Sequence, residues 1–306
     1  RKLSSTCSLV PSPSNAQLFE VKREALRKNL PSLRTQLLAH ITRVLGGDQT
    51  AAEVLLLHML SRVRYRRAGQ VVGKFCLGLR GVEPRHAKVI AEMMRYLKPT
   101  VKPIEVNISS MNRGGFMPVK DYDTNHLKQG QLQAVAGTQL VLDETKLEEG
   151  KLTDTGCRSF RAMQNLIAEQ KLLYDFKYHE MKFDTDTPVL VLSKGKSIFK
   201  CDSTLSVKGN KTIPVSYSEI RPSQSVVNSW REYLLFARQM DVDITKDAGE
   251  MIESDFVKMR KMNPNLSQRT MHLRIEICRL LAVSHCEKKL NRRTWDAAGR
   301  ACKYML

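Results

Sequence analysis

The sequence predicts an α/β fold in which a parallel sheet is covered by helices on both faces and an all-helical segment follows. Three observations predict it. Short, continuously apolar runs recur at KFCLGL (74–79), QLVL (139–142) and PVLVLS (188–193), as strands buried on both faces of a parallel sheet require. Amphipathic stretches with helical spacing separate them. After Pro222 the strand-like runs stop and only helical periodicity remains.

Taken in order, residues 1–16 (RKLSSTCSLVPSPSNA) are rich in Ser and Pro without periodicity, and 1–19 reads as a linker from an upstream region. The apolar positions 33, 37, 38, 41, 44 and 45 share one helical face, which Gly46 and Gly47 terminate. Asp48 can cap the next helix, whose AAEVLLLHML (51–60) is apolar nearly all round and so predicts burial. The first strand, 74–79, leads through a turn with Gly81 and Pro84 into a helix over 86–97. A second strand is expected over 104–108, and a third, 139–142, runs into Asp143 and Glu144. Then come a helix over 160–170, a hairpin in LLYDFKYHEMKF (172–183) and the fourth strand, 188–193. Helices over 227–240, 247–262 and 272–285, and one capped by Asn291, complete the chain. Leu234, Leu235, Ile277, Leu280 and Leu281, with Trp230 and Trp295, are the expected core of that helical part.

The 306 residues are 42% hydrophobic and 26% charged, an ordinary globular balance, and no apolar run approaches the ~20 residues of a membrane span. No membrane partner is expected. Fifty Lys and Arg against 31 Asp and Glu leave a net charge of +19, which favours an acidic partner, either nucleic acid or an acidic protein surface. Only 6% of residues are aromatic, and no basic stretch interleaves with them, so nucleic acid is the secondary choice. The seven cysteines are scattered without a C-x-x-C pair, the usage of a reducing compartment.

An apolar strand ending in Asp-Glu, LVLDE (140–144), has the form of a site where one carboxylate holds Mg²⁺ and the next orients water; it is also how a strand ends in solvated caps. Its partner would be G-x-x-x-x-G-K-[ST], whose backbone N–H groups cradle phosphate. Gly195-Lys196-Ser197 imitates the end of that motif, but it follows the Asp-Glu strand instead of preceding it. After the first strand the chain reads Gly81-Val82-Glu83-Pro84-Arg85-His86-Ala87-Lys88, where Glu83 repels phosphate, Pro84 lacks an N–H and no hydroxyl follows Lys88. No cofactor is expected. Cys278, His285 and Cys286 lie at helical spacing but lack the tight pairing of metal ligands, so no metal is expected either. RVRYRR (62–67) reads as a solvated loop ahead of a nuclear signal or a nucleic-acid patch.

The order of helix, strand, altered phosphate loop, strand, LVLDE, helix, hairpin, strand and helical lid resembles the AAA+ module of minichromosome maintenance (MCM) helicase subunits, with LVLDE at the Walker B position and PVLVLS at the sensor-1 strand. The blocks AAEVLLLHMLSRVRYRR (51–67), GKFCLGLRG (73–81), GTQLVLDETKLEEGKL (137–152), QNLIAEQKLLYDFKYHEMKF (164–183) and VLSKGKS (191–197) are similar to the MCM-binding protein family, and the likeness covers nearly all of the chain after residue 30.

This resemblance implies an AAA+-like core over 20–215 with a degenerate nucleotide site and a helical lid over 216–306. It further implies a nuclear, non-catalytic partner of MCM helicase subunits that acts in their assembly or supply and in their removal from chromatin. A basic nucleic-acid-binding domain and an active ATPase are the alternatives; the latter lacks an S-R-F type arginine finger. Asp143 and Glu144 would then be a Walker B relic capping a strand, so that Glu144→Gln leaves stability nearly unchanged. The partner would dock on the face that gathers Arg85, Lys88, Lys194 and Lys196.

Overall fold

The computed structural model describes the backbone of residues 13–28 and the whole of residues 29–67, 69–209, 213–264 and 267–305. Of the linker expected over 1–19, residues 1–12 lie outside the described residues, and from Pro13 the backbone is helical. Helix α1 (Pro13–Val44) ends at Gly46 and Gly47, both at positive φ. The side chain of Asp48 accepts the Ala51 N–H and caps α2 (Gln49–Leu60), in which every residue from Val54 to Leu60 is buried. A short hairpin, β1 (Tyr65–Arg67) and β2 (Gln70–Val72), precedes β3 (Leu77–Arg80) and α3 (Pro84–Leu97).

Next come β4 (Val101–Glu105), α4 (Ile108–Arg113), the hairpin of β5 (Val119–Asp121) and β6 (His126–Lys128), and β7 (Gln139–Asp143). Helix α5 (Asp154–Glu169) leads into the hairpin of β8 (Lys171–Asp175) and β9 (Glu180–Asp184), where the sequence placed one. Strands β10 (Val189–Ser193) and β11 (Ser203–Ser206) complete the main sheet. The helices that follow are α6 (Gln224–Gln239), α7 (Lys246–Met262), α8 (Gln268–Ser284) and α9 (Arg292–Cys302).

Five strands form a wholly parallel sheet in the order β11-β3-β10-β7-β4, or 5-1-4-3-2 by succession along the chain. Helices flank it and a helical part follows, an arrangement compatible with a Rossmann- or P-loop-like fold. Side chains alternate across the sheet as the pleat demands. Leu77, Leu79, Val141, Leu190 and Leu192 face the core built with α1, α2, α3, α6, α8 and α9. Leu140, Leu142, Val189 and Val191 face a second core with α5. The first core runs without a break from Leu37 through the sheet to Trp230, Leu281 and Trp295.

Several expectations need correction. The second strand lies three residues earlier than 104–108 and includes Pro103. It tolerates the proline because β4 is an edge strand paired only with β7, so no neighbour needs the missing N–H. Leu235 is 60% exposed, unlike Leu234, Ile277, Leu280 and Leu281, because α6 turns it away from the helices it packs on. RVRYRR is not a solvated loop. Arg62 and Arg64 ion-pair with Asp241 past the end of α6, and Arg66 donates to the carbonyls of Glu169, Gln170 and Thr185.

Candidate functional site

In a parallel sheet all carboxyl ends lie along one edge, where the connecting loops can converge on a ligand. Here that edge carries Arg80 at the end of β3, Asp143 and Glu144 at the end of β7, and the Lys194–Ser197 loop after β10. Because β10 lies between β3 and β7, its loop sits beside both.

Only Gly81, Val82 and Glu83 join β3 to α3. Gly81 adopts φ +76°, a conformation that glycine enters without steric cost. Its N–H donates to the Lys194 carbonyl at 3.2 Å, and the Val82 N–H donates to the Ser193 carbonyl at 3.1 Å. Both amides are thus tied to the end of β10. Val82 is fully buried, and Pro84 occupies the first position of α3 without an N–H. One turn on, buried His86 places Nε2 3.0 Å from the Val44 carbonyl, which anchors the start of α3 to the end of α1; burial holds its pKa below the usual histidine range.

The two acids point to different environments. Asp143 accepts from the N–H and hydroxyl of Thr145 at 2.9 and 2.6 Å, so its carboxylate is folded back on its own turn. The Glu144 N–H continues the ladder to the Leu192 carbonyl, while its side chain is buried and leaves Oε1 without a hydrogen-bond partner. Burial pushes its pKa up to about 7, against the Ser197 hydroxyl and Ile198 amide, which favour the charged form, and with the Asp143 charge adding to the rise. Glu144 is therefore a buried carboxyl and no solvated cap, and Glu144→Gln is expected to change stability with pH and not to leave it nearly unchanged.

The four cations expected on this face are all exposed. Lys194 pairs with Glu83 at 3.4 Å, joining the β3–α3 connection to the post-β10 loop through side chains as well as backbone. Arg85 and Lys88 sit on the first turns of α3, with Arg85 donating to the Val215 carbonyl at 3.4 Å. Lys196 turns toward a cleft shared with Arg80. Sequence reading missed Arg80, which ends an apolar run and stands over the same edge; a lone basic residue closing a buried strand was the available signal. Cys278, His285 and Cys286 do not converge, since Cys278 is buried against Thr294 and His285 is exposed at the end of α8.

A profile of the family described as "Mini-chromosome maintenance replisome factor" matches residues 1–301, so the likeness begins before residue 30. Curated relatives called mini-chromosome maintenance complex-binding protein are similar over most of the chain. The Danio rerio protein is 36% identical over 277 residues, 88% of this chain and 44% of its own length. The Homo sapiens protein is 35% identical over 276 residues, 87% and 43%. The Arabidopsis thaliana protein is 32% identical over 294 residues, 94% and 47%. The chain thus spans a little under half the length of these relatives. On the match across residues 1–301, it belongs to the mini-chromosome maintenance replisome factor family.

Proposed function

We propose that this chain is an AAA+-like domain with a closed nucleotide site that binds MCM helicase subunits without hydrolysing ATP. The observation that carries the second half of this reading is the β3–α3 connection. A phosphate loop takes eight residues with free amides, whereas here three residues make the turn and the Gly81 and Val82 amides are bonded to the end of β10. The carboxylate that would hold Mg²⁺ through water is engaged by Thr145. These residues do not fit a nucleotide phosphate. Partner binding is supported by the relatives, which are called MCM complex-binding proteins. Within this reading the domain acts in the nucleus, in the supply of MCM subunits and their removal from chromatin.

Steady-state ATP hydrolysis is expected to stay at the buffer rate; a rate that disappears in Glu144→Gln would overturn the non-catalytic reading. The exposed edge with Arg85, Lys88, Lys194 and Lys196 is the proposed docking face. Reversing all four to Glu places like charges against the partner and removes steering. Pull-down of individually expressed MCM subunits should show affinity lowered by about tenfold or more, a cost of about 1.4 kcal/mol. A variant that folds normally and binds with unchanged affinity means that docking uses another surface.

A further inference from the structure

Arg80 stands where two clefts meet. One, of about 530 Å³, lies between β11, the chain that follows β10 and the start of α8, and takes in Lys196, Lys200 and Arg269. The other, of about 420 Å³, passes the end of β11 toward the start of α2 and the end of α9, and takes in Lys208, Lys303 and Tyr304. Arg80 and Thr204 line both, so the two form one groove along the edge strand.

Elsewhere among the described residues some cations are matched by acids, as in Arg34 with Glu53, Arg158 with Asp175 and Arg238 with Asp186. In the groove they are not: among the described residues no carboxylate pairs with the side chain of Arg80, Lys196, Lys200, Lys208 or Lys303. The two acids on its walls are already engaged. Asp48 accepts the N–H groups of Ala51 and Lys208, and Asp202 pairs with Lys74 and accepts the Cys76 N–H. Uncompensated charge gathered in a concave wall repels itself and focuses a positive field outward. Two polar atoms also lack a partner there. Ser203, 4% exposed, lines the first cleft with its hydroxyl unbonded, and the buried Nε of Arg80 is unbonded too. Buried donors are ordinarily satisfied, so both point to a ligand that accepts hydrogen bonds.

We propose that this groove binds single-stranded nucleic acid through its phosphodiester backbone. The cations are strung along two joined clefts and not gathered round one point, which suits a repeating anion better than a single phosphate group. Tyr304, 60% exposed at one end, offers a ring on which a base can stack, an interaction that an acidic peptide would not use. The groove is separate from the turn between β3 and α3, whose amides are bonded internally.

Fluorescence anisotropy with a labelled oligothymidylate tests this. The wild-type chain should bind at low salt, with affinity falling as salt rises. The triple variant Lys200→Ala, Lys208→Ala, Lys303→Ala changes only exposed side chains and none of the proposed MCM-docking residues, so its outcome is independent of that reading. It should bind at least tenfold more weakly, and the slope of log K against log salt should fall by about 2, at about 0.7 for each phosphate of a single strand that is no longer neutralised. Tyr304→Ala should weaken binding and leave the slope in place. A control, Lys288→Ala, Lys289→Ala, Arg293→Ala, removes the same charge outside the groove and should keep the wild-type slope. The proposal fails if the wild type does not bind at low salt, or if the control loses as much as the groove variant. It also fails if polyglutamate displaces the strand as well as unlabelled oligothymidylate does, or if a nucleoside triphosphate does so.

Discussion

Trp295→Ala is expected to lower the stability of the folded chain by about 3–5 kcal/mol, the range for emptying a fully buried tryptophan site. The indole is 0% exposed and packs in the core that α9 shares with α8 and the sheet. Its Nε1–H donates to Asp255 at 3.0 Å, which holds α7 against α9, and the Arg274 guanidinium lies 4.1 Å from the ring centre. Truncation removes the packing, the hydrogen bond and the cation–π pairing together. Asp255 keeps its pairing with Arg292 at 3.0 Å, so the loss is mainly of packing and not of a stranded charge. Trp295→Phe retains most of the volume and forfeits the hydrogen bond, and should cost about 1–2 kcal/mol. Since a domain is stable by only about 5–15 kcal/mol, the alanine variant should melt near working temperature. Urea unfolding followed by far-UV dichroism measures both; a cost below about 1 kcal/mol for Trp295→Ala would contradict its place in the core.

The second expected result concerns Glu144 and pH. Its folded-state pKa of about 7 lies above the 4.5 of an ordinary glutamate, so the folded chain holds this proton more tightly than the unfolded one. The associated stability is fully present below about pH 4.5 and is lost as pH rises toward 7, beyond which the buried charge is a constant penalty. Between 4.5 and 7, at about 1.4 kcal/mol per pH unit, the loss amounts to about 3 kcal/mol. Glutamine is neutral throughout and nearly the same shape as the protonated acid. Glu144→Gln should therefore match the wild type near pH 4 and exceed its stability by about 3 kcal/mol at pH 8. The comparison cancels the buried histidines His40 and His58, whose lowered pKa values act in the opposite direction in both proteins. Unfolding midpoints at a series of pH values would show this; a difference between the two proteins that does not change with pH would refute the assignment of a buried, protonatable carboxyl.

What could be read from the sequence follows a physical rule. Strands β3, β7 and β10 were visible because burial on both faces demands unbroken apolar runs, as in Leu190-Val191-Leu192. Strand β11 was not, because Ser203-Thr204-Leu205-Ser206 lies at the sheet edge and needs few apolar side chains to pair with β3. The three-residue strands β5, half-buried, and β6, exposed, were too short and too polar to leave an apolar run. At the site, the apolar-to-acidic ending of β7 was legible, but the opposite fates of Asp143 and Glu144 were not. They depend on Thr145 on one side and on the distant Ser197 and Ile198 on the other. The groove was invisible for a further reason. Arg80, Lys200, Lys208 and Lys303 come from separate segments, and only the parallel register of β3 with β11 and the return of α9 bring them side by side.

The unbroken apolar body that joins the sheet to the C-terminal helices has a mechanical meaning. Leu37 of α1, Leu77 and Leu190 of the sheet, Trp230 of α6 and Leu281 of α8 are parts of it. Polar clips cross it as well, from Arg34 and Tyr233 to Ser284 and from His40 to Tyr217. A pull on the exposed strand ends is therefore resisted by the helices behind them. Enzymes that work by swinging a lid need a seam along which packing is thin enough to shear. The packing among the described residues offers no such seam, so the edge proposed above as a docking face presents a fixed shape, suited to fitting against a partner as a wedge does and not to a stroke.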